Sequence, residues 1–135
     1  MRYMLDTNIC IHMMKHTQNV LSRFLKVEND SAAISTITLA ELEFGICNSA
    51  AYEKNRLKLI TFLSLVNVLP FDDTAAMEYG IIRADLQKKG MPIGQMDMLI
   101  AAHARSRNLI VATNNIREFE RVDGLGVADW VQGEE

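Results

Sequence analysis

The chain has 135 residues, of which 49% are apolar and 23% are charged, the ordinary balance of a globular protein. This length predicts one domain over residues 1–135 with a substantial core. The apolar runs fall well short of the roughly 20 residues that cross a bilayer, so we expect no membrane association. The formal net charge of −3 argues against a protein that coats nucleic acid.

The first residues contain neither a secretory apolar region nor a small-residue cleavage site, so we expect a cytoplasmic protein. The two cysteines, Cys10 and Cys47, match no disulfide framework and no metal-ligand spacing. We therefore expect both to be small, reduced core residues.

Short apolar runs alternate along the chain with stretches of helical periodicity. The predicted strands cover residues 3–6, 32–35, 66–69, 109–113 and 126–128. The predicted helices cover residues 8–15, with Asn8 as the cap, and residues 19–28, 36–48, 51–65, 73–89, 94–107 and 116–121. Strands that alternate with helices pair in parallel through helical crossovers. The sequence therefore predicts an α/β fold, a three-layer α/β/α sandwich with a short central parallel sheet.

Sheets of this kind gather functional groups at the carboxyl ends of their strands, beside the point where the strand order reverses. Asp6 follows the first predicted strand, and the turn of Thr113, Asn114 and Asn115 follows the buried strand near the other end of the chain. We expect both segments at the functional edge of the sheet.

A carboxylate on a helix surface commonly has a basic neighbour three or four residues away, and three acids in apolar segments stand out against that pattern. Other acids have one: Asp85 has Lys88 and Lys89, Glu53 has Arg56, and Glu118 has Arg121. Glu41 and Asp97 have none on their own helices, Asp6 follows a predicted strand with only Arg2 four residues before it, and all three acids lie in segments rich in Ile, Leu, Met and Ala.

An isolated buried carboxylate costs several kcal/mol, so a core accepts one only when it is paired, hydrogen-bonded, protonated or bound to metal. If folding gathers these acids, their mutual repulsion raises their pKa values, and a divalent cation relieves that repulsion. Oxygen ligands without a His or Cys cluster favour Mg²⁺ or Mn²⁺ over Zn²⁺.

Each acid also has a purely structural explanation. Asp6 can cap the helix that follows the first strand. Thr38 and Glu41 have the spacing of a capping box. Asp97 lies in the first turn of its helix, where the helix dipole favours an acid. A single acidic cluster has the advantage that it accounts for all three.

Four segments carry a resemblance to a known family: MLDTNICI at the start, ISTITLAELEFG around Glu41, GMPIGQMDMLIAAHARSRNLIVATNNIREFERV, and the closing Asp129-Trp130. In this order they resemble the PIN-domain ribonuclease toxins of VapC type. The resemblance implies a metal-dependent phosphodiesterase that is blocked by a VapB-type antitoxin. It also implies self-association as a homodimer.

The resemblance makes Asp6, Glu41 and Asp97 the catalytic carboxylates, with Asp6 and Asp97 as direct ligands of Mg²⁺, for which Mn²⁺ can substitute. Many relatives have a fourth acid in the turn after the last main strand, where this chain has Asn115. Asn115 offers only a neutral oxygen. Glu118, one helical turn further on, either replaces the missing charge or forms a surface pair with Arg121. Whether one ion or two are bound stays open.

These residue types suit in-line hydrolysis of an RNA phosphodiester, with Glu41 positioning the attacking water. Thr7 can hydrogen-bond an acid or the phosphate, or it is simply a turn residue. His103 is a core residue or a general acid. Phosphate-binding residues would be basic, and the candidates for RNA binding besides Thr7 are Lys88, Arg105, Arg107 and Arg117.

Some relatives with this motif pattern act on initiator transfer RNA, and the resemblance extends that expectation to this chain. The alternative is an α/β module that binds nucleic acid or protein and cleaves weakly or not at all because Asn115 replaces an acid. A nucleotide-binding regulatory domain lacks support, since no glycine-rich phosphate loop follows the first strand.

Overall fold

A computed structural model describes residues 1–28 and 30–132. The described residues form five strands: β1 (Tyr3–Leu5), β2 (Ala32–Ser35), β3 (Asn67–Leu69), β4 (Ile110–Thr113) and β5 (Val127–Asp129). They also form seven helices: α1 (Thr7–Met14), α2 (Gln18–Lys26), α3 (Thr36–Cys47), α4 (Tyr52–Leu63), α5 (Asp73–Lys89), α6 (Gln95–Ser106) and α7 (Ile116–Phe119). The predicted alternation of strands and helices is confirmed.

The five strands form one sheet in the order β3-β2-β1-β4-β5, and each neighbouring pair is parallel. The chain builds one side of the sheet with β2 and β3, then crosses over β1 to build the other side with β4 and β5. The reversal of strand order therefore lies between β1 and β4, where Leu5 is in register with Ala112. This parallel sheet confirms the predicted fold class.

Apolar side chains cover both faces of the sheet, because successive strand residues point to opposite sides. Met4 and Val111 pack on one face with side chains of α5 and α6. Leu5 and Ala112 pack on the other face with side chains of α1, α3 and α4. Helices on both faces of a central sheet give the three layers that the sequence predicted.

The caps of two helices correct the sequence prediction. Asp6, not Asn8, caps α1, because its Oδ1 accepts a hydrogen bond from the amide of Ile9 at 2.9 Å. Ser35 caps α3 and accepts from the amide of Ile37 at 3.0 Å. The capping-box explanation of Glu41 is therefore wrong, since Glu41 lies in the second turn of α3, beyond the position that reaches back to a cap.

The ion pairs read from sequence spacing are confirmed only in part. Lys89 pairs with Asp85 at 2.9 Å, as the spacing predicted. Arg56 pairs with Glu43 of the neighbouring helix at 2.8 Å, and not with Glu53. A helix neighbour from another part of the chain has displaced the local partner.

The cysteines divide between core and surface. Cys10 is buried in α1, whereas Cys47 is exposed at the end of α3, so the prediction of two core cysteines is wrong for Cys47. Within residues 1–28 and 30–132, no helix is long and apolar enough to cross a membrane.

Candidate active site

Asp6 stands where β1 ends, at the reversal of strand order. The side chain is only 3% exposed. Its Oδ1 caps α1, and its Oδ2 accepts a hydrogen bond of 2.5 Å from the hydroxyl of Thr113, the last residue of β4. The capping role and the site role thus coexist, because the two oxygens have different donors and each keeps a further lone pair.

Glu41 reaches the same region from α3. Its Oε1 accepts a hydrogen bond of 2.5 Å from the hydroxyl of Thr7, which directly follows Asp6 in the chain. This bond spans 34 positions of sequence and joins the second turn of α3 to the first turn of α1. It gives Glu41 a partner without any basic residue.

Asp97 lies in the first turn of α6, half-buried, and contacts Asn115. The amide nitrogen of Asn115 donates to Asp97 Oδ2 at 3.3 Å, and its backbone amide donates to Thr113 Oγ1 at 2.8 Å. Thr113 therefore links the surroundings of Asp6 and Asp97. Asn115 acts here as a donor to a carboxylate, in contrast to the neutral oxygen that the sequence suggested.

Glu118 is the fourth acid of the region. Its Oε1 lies 3.5 Å from the amide nitrogen of Gly94, the residue that precedes α6. Arg121 donates instead to the carbonyl of Pro92 at 2.8 Å. The surface pair between Glu118 and Arg121 is therefore wrong, and Glu118 faces the turn that leads to Asp97.

The four carboxylates interact electrostatically. Burial first, and then the negative charges of Asp6, Glu118 and Glu41, together raise the pKa of Asp97 to about 6 against the lowering effect of the Asn115 hydrogen bond. Burial also raises the pKa of Asp6, which the hydrogen bonds from Thr113 and the helix amides oppose and the charge of Glu41 reinforces. Asp6, Glu41, Asp97 and Glu118 form one negative cluster, hereafter the acidic site.

The acidic site has the chemistry of a divalent-cation site. In the described part of the chain none of its four carboxylates forms a salt bridge with Lys or Arg. No three His, Cys, Asp or Glu side chains among residues 1–28 and 30–132 converge tightly enough to hold an ion by themselves. Mg²⁺ tolerates this arrangement, since it is commonly held by one or two carboxylates and keeps several waters.

The basic residues proposed for RNA binding lie at different distances from the acidic site. Arg117 is exposed in the first turn of α7, next to Glu118. Arg105 forms a salt bridge of 2.5 Å with Glu78, and it lies about 12 Å from Asp97 along α6 at 1.5 Å per residue. Arg107, at the same end of α6, is exposed.

Lys88 is exposed in the last turn of α5, and no hydrogen bond or salt bridge within the described ranges joins it to the acidic site. His103 is fully buried, with Nδ1 at 2.8 Å from Ser35 Oγ and its ring edge against Phe71. This position favours the core interpretation of His103 over the general acid.

The sequence analysis placed Thr113 at the functional edge of the sheet but gave its hydroxyl no role. Its hydroxyl donates to Asp6 and accepts from the amide of Asn115, and its side chain is fully buried. The available signal was a threonine at the last position of an apolar strand, directly before two asparagines.

A parallel α/β sandwich that gathers carboxylates without basic partners at the reversal of strand order is the arrangement we expect of a metal-dependent phosphodiesterase. Three comparisons identify the family within that class. The PIN domain family matches residues 3–125. The tRNA(fMet)-specific endonuclease VapC of Salmonella typhimurium is 43% identical over 130 residues, which is 96% of this chain and 98% of that protein.

Ribonuclease VapC2 of Rickettsia felis is 42% identical over 132 residues, covering 96% of this chain and 98% of its own length. The solved structure of DNA-bound VapBC from Salmonella typhimurium superposes with a TM-score of 0.90 at 45% identity, over 96% of this chain and 98% of that one. The chain belongs to the VapC ribonuclease toxins of the PIN domain family. PIN nucleases generally depend on divalent metal, which agrees with the composition of the acidic site.

Proposed function

We propose that this chain hydrolyses an RNA phosphodiester with Mg²⁺, or Mn²⁺ in its place, held directly by Asp6 and Asp97. The observation that carries the proposal is the raised pKa of Asp97, about 6, which arises from burial and from three neighbouring acids without a compensating Lys or Arg. A divalent cation is the species that makes such a cluster favourable when its members are ionised.

When bound, the cation supplies positive charge that polarises the phosphodiester and lowers the pKa of an attacking water. Asp6 is held in place by Thr113 and by the α1 amide, so its free lone pairs point in a fixed direction. Glu41, held by Thr7, orients the attacking water. Asn115 restrains Asp97 through Oδ2 and leaves Oδ1 for the cation.

Glu118 takes the role of the fourth acid in this proposal. Its charge is one of those that raise the pKa of Asp97, which supports this role. Asn115 then serves to orient Asp97 rather than to replace a charge.

The proposed substrate is initiator transfer RNA, because two of the similar proteins, from Salmonella typhimurium and Shigella flexneri, are named tRNA(fMet)-specific endonucleases. Arg117 adjoins the acidic site and is the proposed phosphate contact, whereas Thr7 serves RNA cleavage by holding Glu41, because its one hydroxyl proton is donated to that carboxylate. Arg105, Arg107 and Lys88 would reach only more distant parts of a large RNA. Action on transfer RNA implies a cytoplasmic location.

The proposed partner is a VapB-type antitoxin that blocks the acidic site. The solved relatives from Rickettsia felis and Salmonella typhimurium are VapBC complexes bound to DNA. We further propose that the chain acts as a single domain over residues 1–135 and that it self-associates as a homodimer. Size measurement with and without the coexpressed antitoxin tests the last point.

Alanine variants at Asp6 and at Asp97 test the activity. Each is expected to lower Mg²⁺-dependent cleavage of an initiator tRNA transcript by more than about 100-fold, since each removes a direct ligand. Asp73→Ala is the matched control, because Asp73 is an exposed acid in the first turn of α5. Cleavage that survives both site variants rejects the assignment, and a wild-type protein that binds RNA but never cleaves it supports the binding module.

A further inference from the structure

His103 joins α6, the helix that carries Asp97, to the start of α3, the helix that carries Glu41. Its Nδ1 lies 2.8 Å from the Oγ of Ser35, and both side chains are fully buried. Ser35 is the last residue of β2 and the N-cap of α3. Among the residues that the structure describes, no other side-chain hydrogen bond joins α6 to β2 or α3.

Ser35 lies at the same edge of the sheet as Asp6. The strands β1 and β2 are parallel, with Met4 opposite Ala33. Two positions further along each strand, Asp6 and Ser35 are therefore level with each other. The hydrogen bond to His103 thus attaches α6 to the edge of the sheet at which the acidic site is built.

The other acids of the site are connected to this bond through regular helix. Glu41 lies six residues after Ser35, and Asp97 lies six residues before His103, which is about 9 Å along each helix axis. A helix moves as a unit over such a distance, so a change at the bond changes the separation of the two carboxylates.

The hydrogen bonds around Ser35 indicate which ring nitrogen carries the proton. Burial is the main cause that lowers the pKa of His103, so the ring is neutral at pH 7. Ser35 Oγ already accepts from the amide of Ile37 at 3.0 Å. If the hydroxyl donates to Nδ1, only the Nε2–H group lacks a partner in the described part of the chain. The other tautomer leaves both the hydroxyl proton and the Nε2 lone pair unused, so donation by Ser35 is favoured.

The unpaired Nε2 shows that packing alone does not account for a histidine at this position. The neighbouring Ala102 and Ala104 are fully buried, and the ring edge packs against Phe71 with the ring centres 5.4 Å apart. An apolar side chain such as leucine would fill this space without leaving a buried polar atom unpaired, which costs free energy. The group that leucine lacks is the acceptor for Ser35.

We propose that His103 is a positioning residue for phosphodiester hydrolysis, acting through the hydrogen bond that Ser35 donates to its Nδ1. The bond fixes α6, and with it Asp97, relative to Asp6 at the sheet edge. It also fixes α6 relative to Glu41 on α3. The inference rests on the proposed function and deepens it, because it assigns a role to a side chain that contacts neither RNA nor the reacting atoms.

Two substitutions of His103 separate the hydrogen bond from packing. His103→Leu keeps an apolar contact with Phe71 and removes the acceptor for Ser35. It is expected to lower kcat for Mg²⁺-dependent cleavage of an initiator tRNA transcript about 10- to 100-fold, since small misplacements of reacting groups have effects of this size. KM is expected to stay within about twofold, because no phosphate contact changes. His103→Asn loses the ring but places Oδ1 where Nδ1 was, and it is expected to keep kcat within about threefold of the wild type.

The unfolding midpoints of the same variants show whether the rate merely follows stability. His12→Leu is the matched control, because His12 Nδ1 makes the same kind of bond, 3.0 Å long, to Thr17 Oγ1 between α1 and α2. It is expected to cleave at the wild-type rate. Ser35→Ala removes the proposed bond from its other end and is expected to lower kcat like His103→Leu, so it decides the test if His103→Leu does not fold.

Nitrogen-15 NMR of the metal-free protein in EDTA tests the bond without any cleavage. The His103 ring signals are identified by their absence from His103→Asn. They are expected to show an unprotonated Nδ1 and a protonated Nε2, and Ser35→Ala is expected to shift the Nδ1 signal. A ring that exchanges between both tautomers, or an Nδ1 signal that does not move in Ser35→Ala, overturns the proposed bond.

The kinetic outcomes separate this inference from the proposed function. Wild-type kcat in both His103→Leu and Ser35→Ala overturns the inference while the nuclease assignment stands. Equal losses in His103→Leu and His103→Asn also overturn it, since the ring itself would then be required. Rates that follow the unfolding midpoints across all variants reduce the role of His103 to stability and overturn it as well. A wild-type protein that never cleaves RNA overturns both proposals.

Discussion

Asp97→Asn is expected to raise the thermal stability of the metal-free protein while it abolishes cleavage. Asp97 is half-buried, repelled by three acids and without a basic partner among the described residues. Asn has nearly the same shape and can still accept a hydrogen bond from Asn115. The substitution therefore removes an unfavourable charge and leaves the packing in place.

The size of the stabilisation expected for Asp97→Asn follows from the pKa of about 6 that Asp97 has in the folded protein. Against an unfolded value of about 3.9, a shift of about two units corresponds to about 3 kcal/mol at most. Partial exposure and solvent screening reduce this by roughly half, and the lost attraction of Asp97 to the α6 dipole removes about 0.5 kcal/mol more. A net gain of about 1 kcal/mol raises the midpoint of unfolding by about 3–5 °C for a chain of this size.

The pH dependence of the free energy of unfolding shows whether ionised Asp97 stabilises or destabilises the folded protein. The folded state binds the Asp97 proton more tightly than the unfolded state, so ionisation of Asp97 lowers the free energy of unfolding as pH rises from about 4 to above 6. The advantage of Asn is therefore full at pH 8, about half as large at pH 5, and absent below pH 4.

Thermal unfolding in EDTA at pH 8 and pH 5 measures the effect. Asp73→Asn is the matched control, since it makes the same change in an exposed first turn, and it is expected to lower the midpoint slightly. Addition of Mg²⁺ is expected to raise the midpoint of the wild type and not that of Asp97→Asn. An Asp97→Asn protein that unfolds at or below the wild-type midpoint at pH 8 would refute the electrostatic account of the site.

Three further predictions concern the same molecule. Thr113→Val removes the donor to Asp6 and a buried acceptor, and should destabilise the protein by about 1–3 kcal/mol in urea unfolding and slow cleavage; unchanged values for both would contradict the role of this hydroxyl. Arg105→Met breaks the half-buried pair with Glu78 and should cost about 1–2 kcal/mol, which a double-mutant cycle with Glu78→Gln would show as coupling. Binding of Mg²⁺ to the metal-free protein should weaken as the pH drops through about 6, where a proton on Asp97 competes with the cation, and an affinity for Mg²⁺ that is flat between pH 5 and 8 would exclude that carboxylate as a ligand.

The sequence was sufficient for elements whose ends are determined by local chemistry. Residues 73–89 were predicted as a helix and form α5, because Gly90 adopts the left-handed conformation that ends it, with φ of 66°. Residues 32–35 were predicted as a strand and form β2, since a short apolar run follows a polar turn there. The parallel order followed from the alternation of strands with helices.

Local chemistry was insufficient where two residues compete for one role. Asp6 and Asn8 are both good helix caps, and the choice depends on where β1 leaves the sheet, which tertiary pairing decides. Arg56 had an acid three residues away in its own helix, but the structure gives it Glu43 from α3. A long side chain selects among all acids within reach in space.

The acids of the site were recognisable because they lacked basic neighbours, whereas their hydroxyl partners were not. Thr7 reaches Glu41 across 34 positions, and Thr113 reaches Asp6 across 107. A hydroxyl has no charge that would mark such a distant partner in the sequence.

The position of β4 next to β1 has a consequence for synthesis. A growing polypeptide on the ribosome has made Asp6 and Glu41 long before it contains Asp97, and Thr113 comes later still. Translation products that stop before β4 lack Thr113 and Glu118 and therefore cannot complete the acidic site. A host cell would therefore encounter an active nuclease only after nearly the whole message has been read, which leaves the translation time of the toxin for its neutralising partner to accumulate.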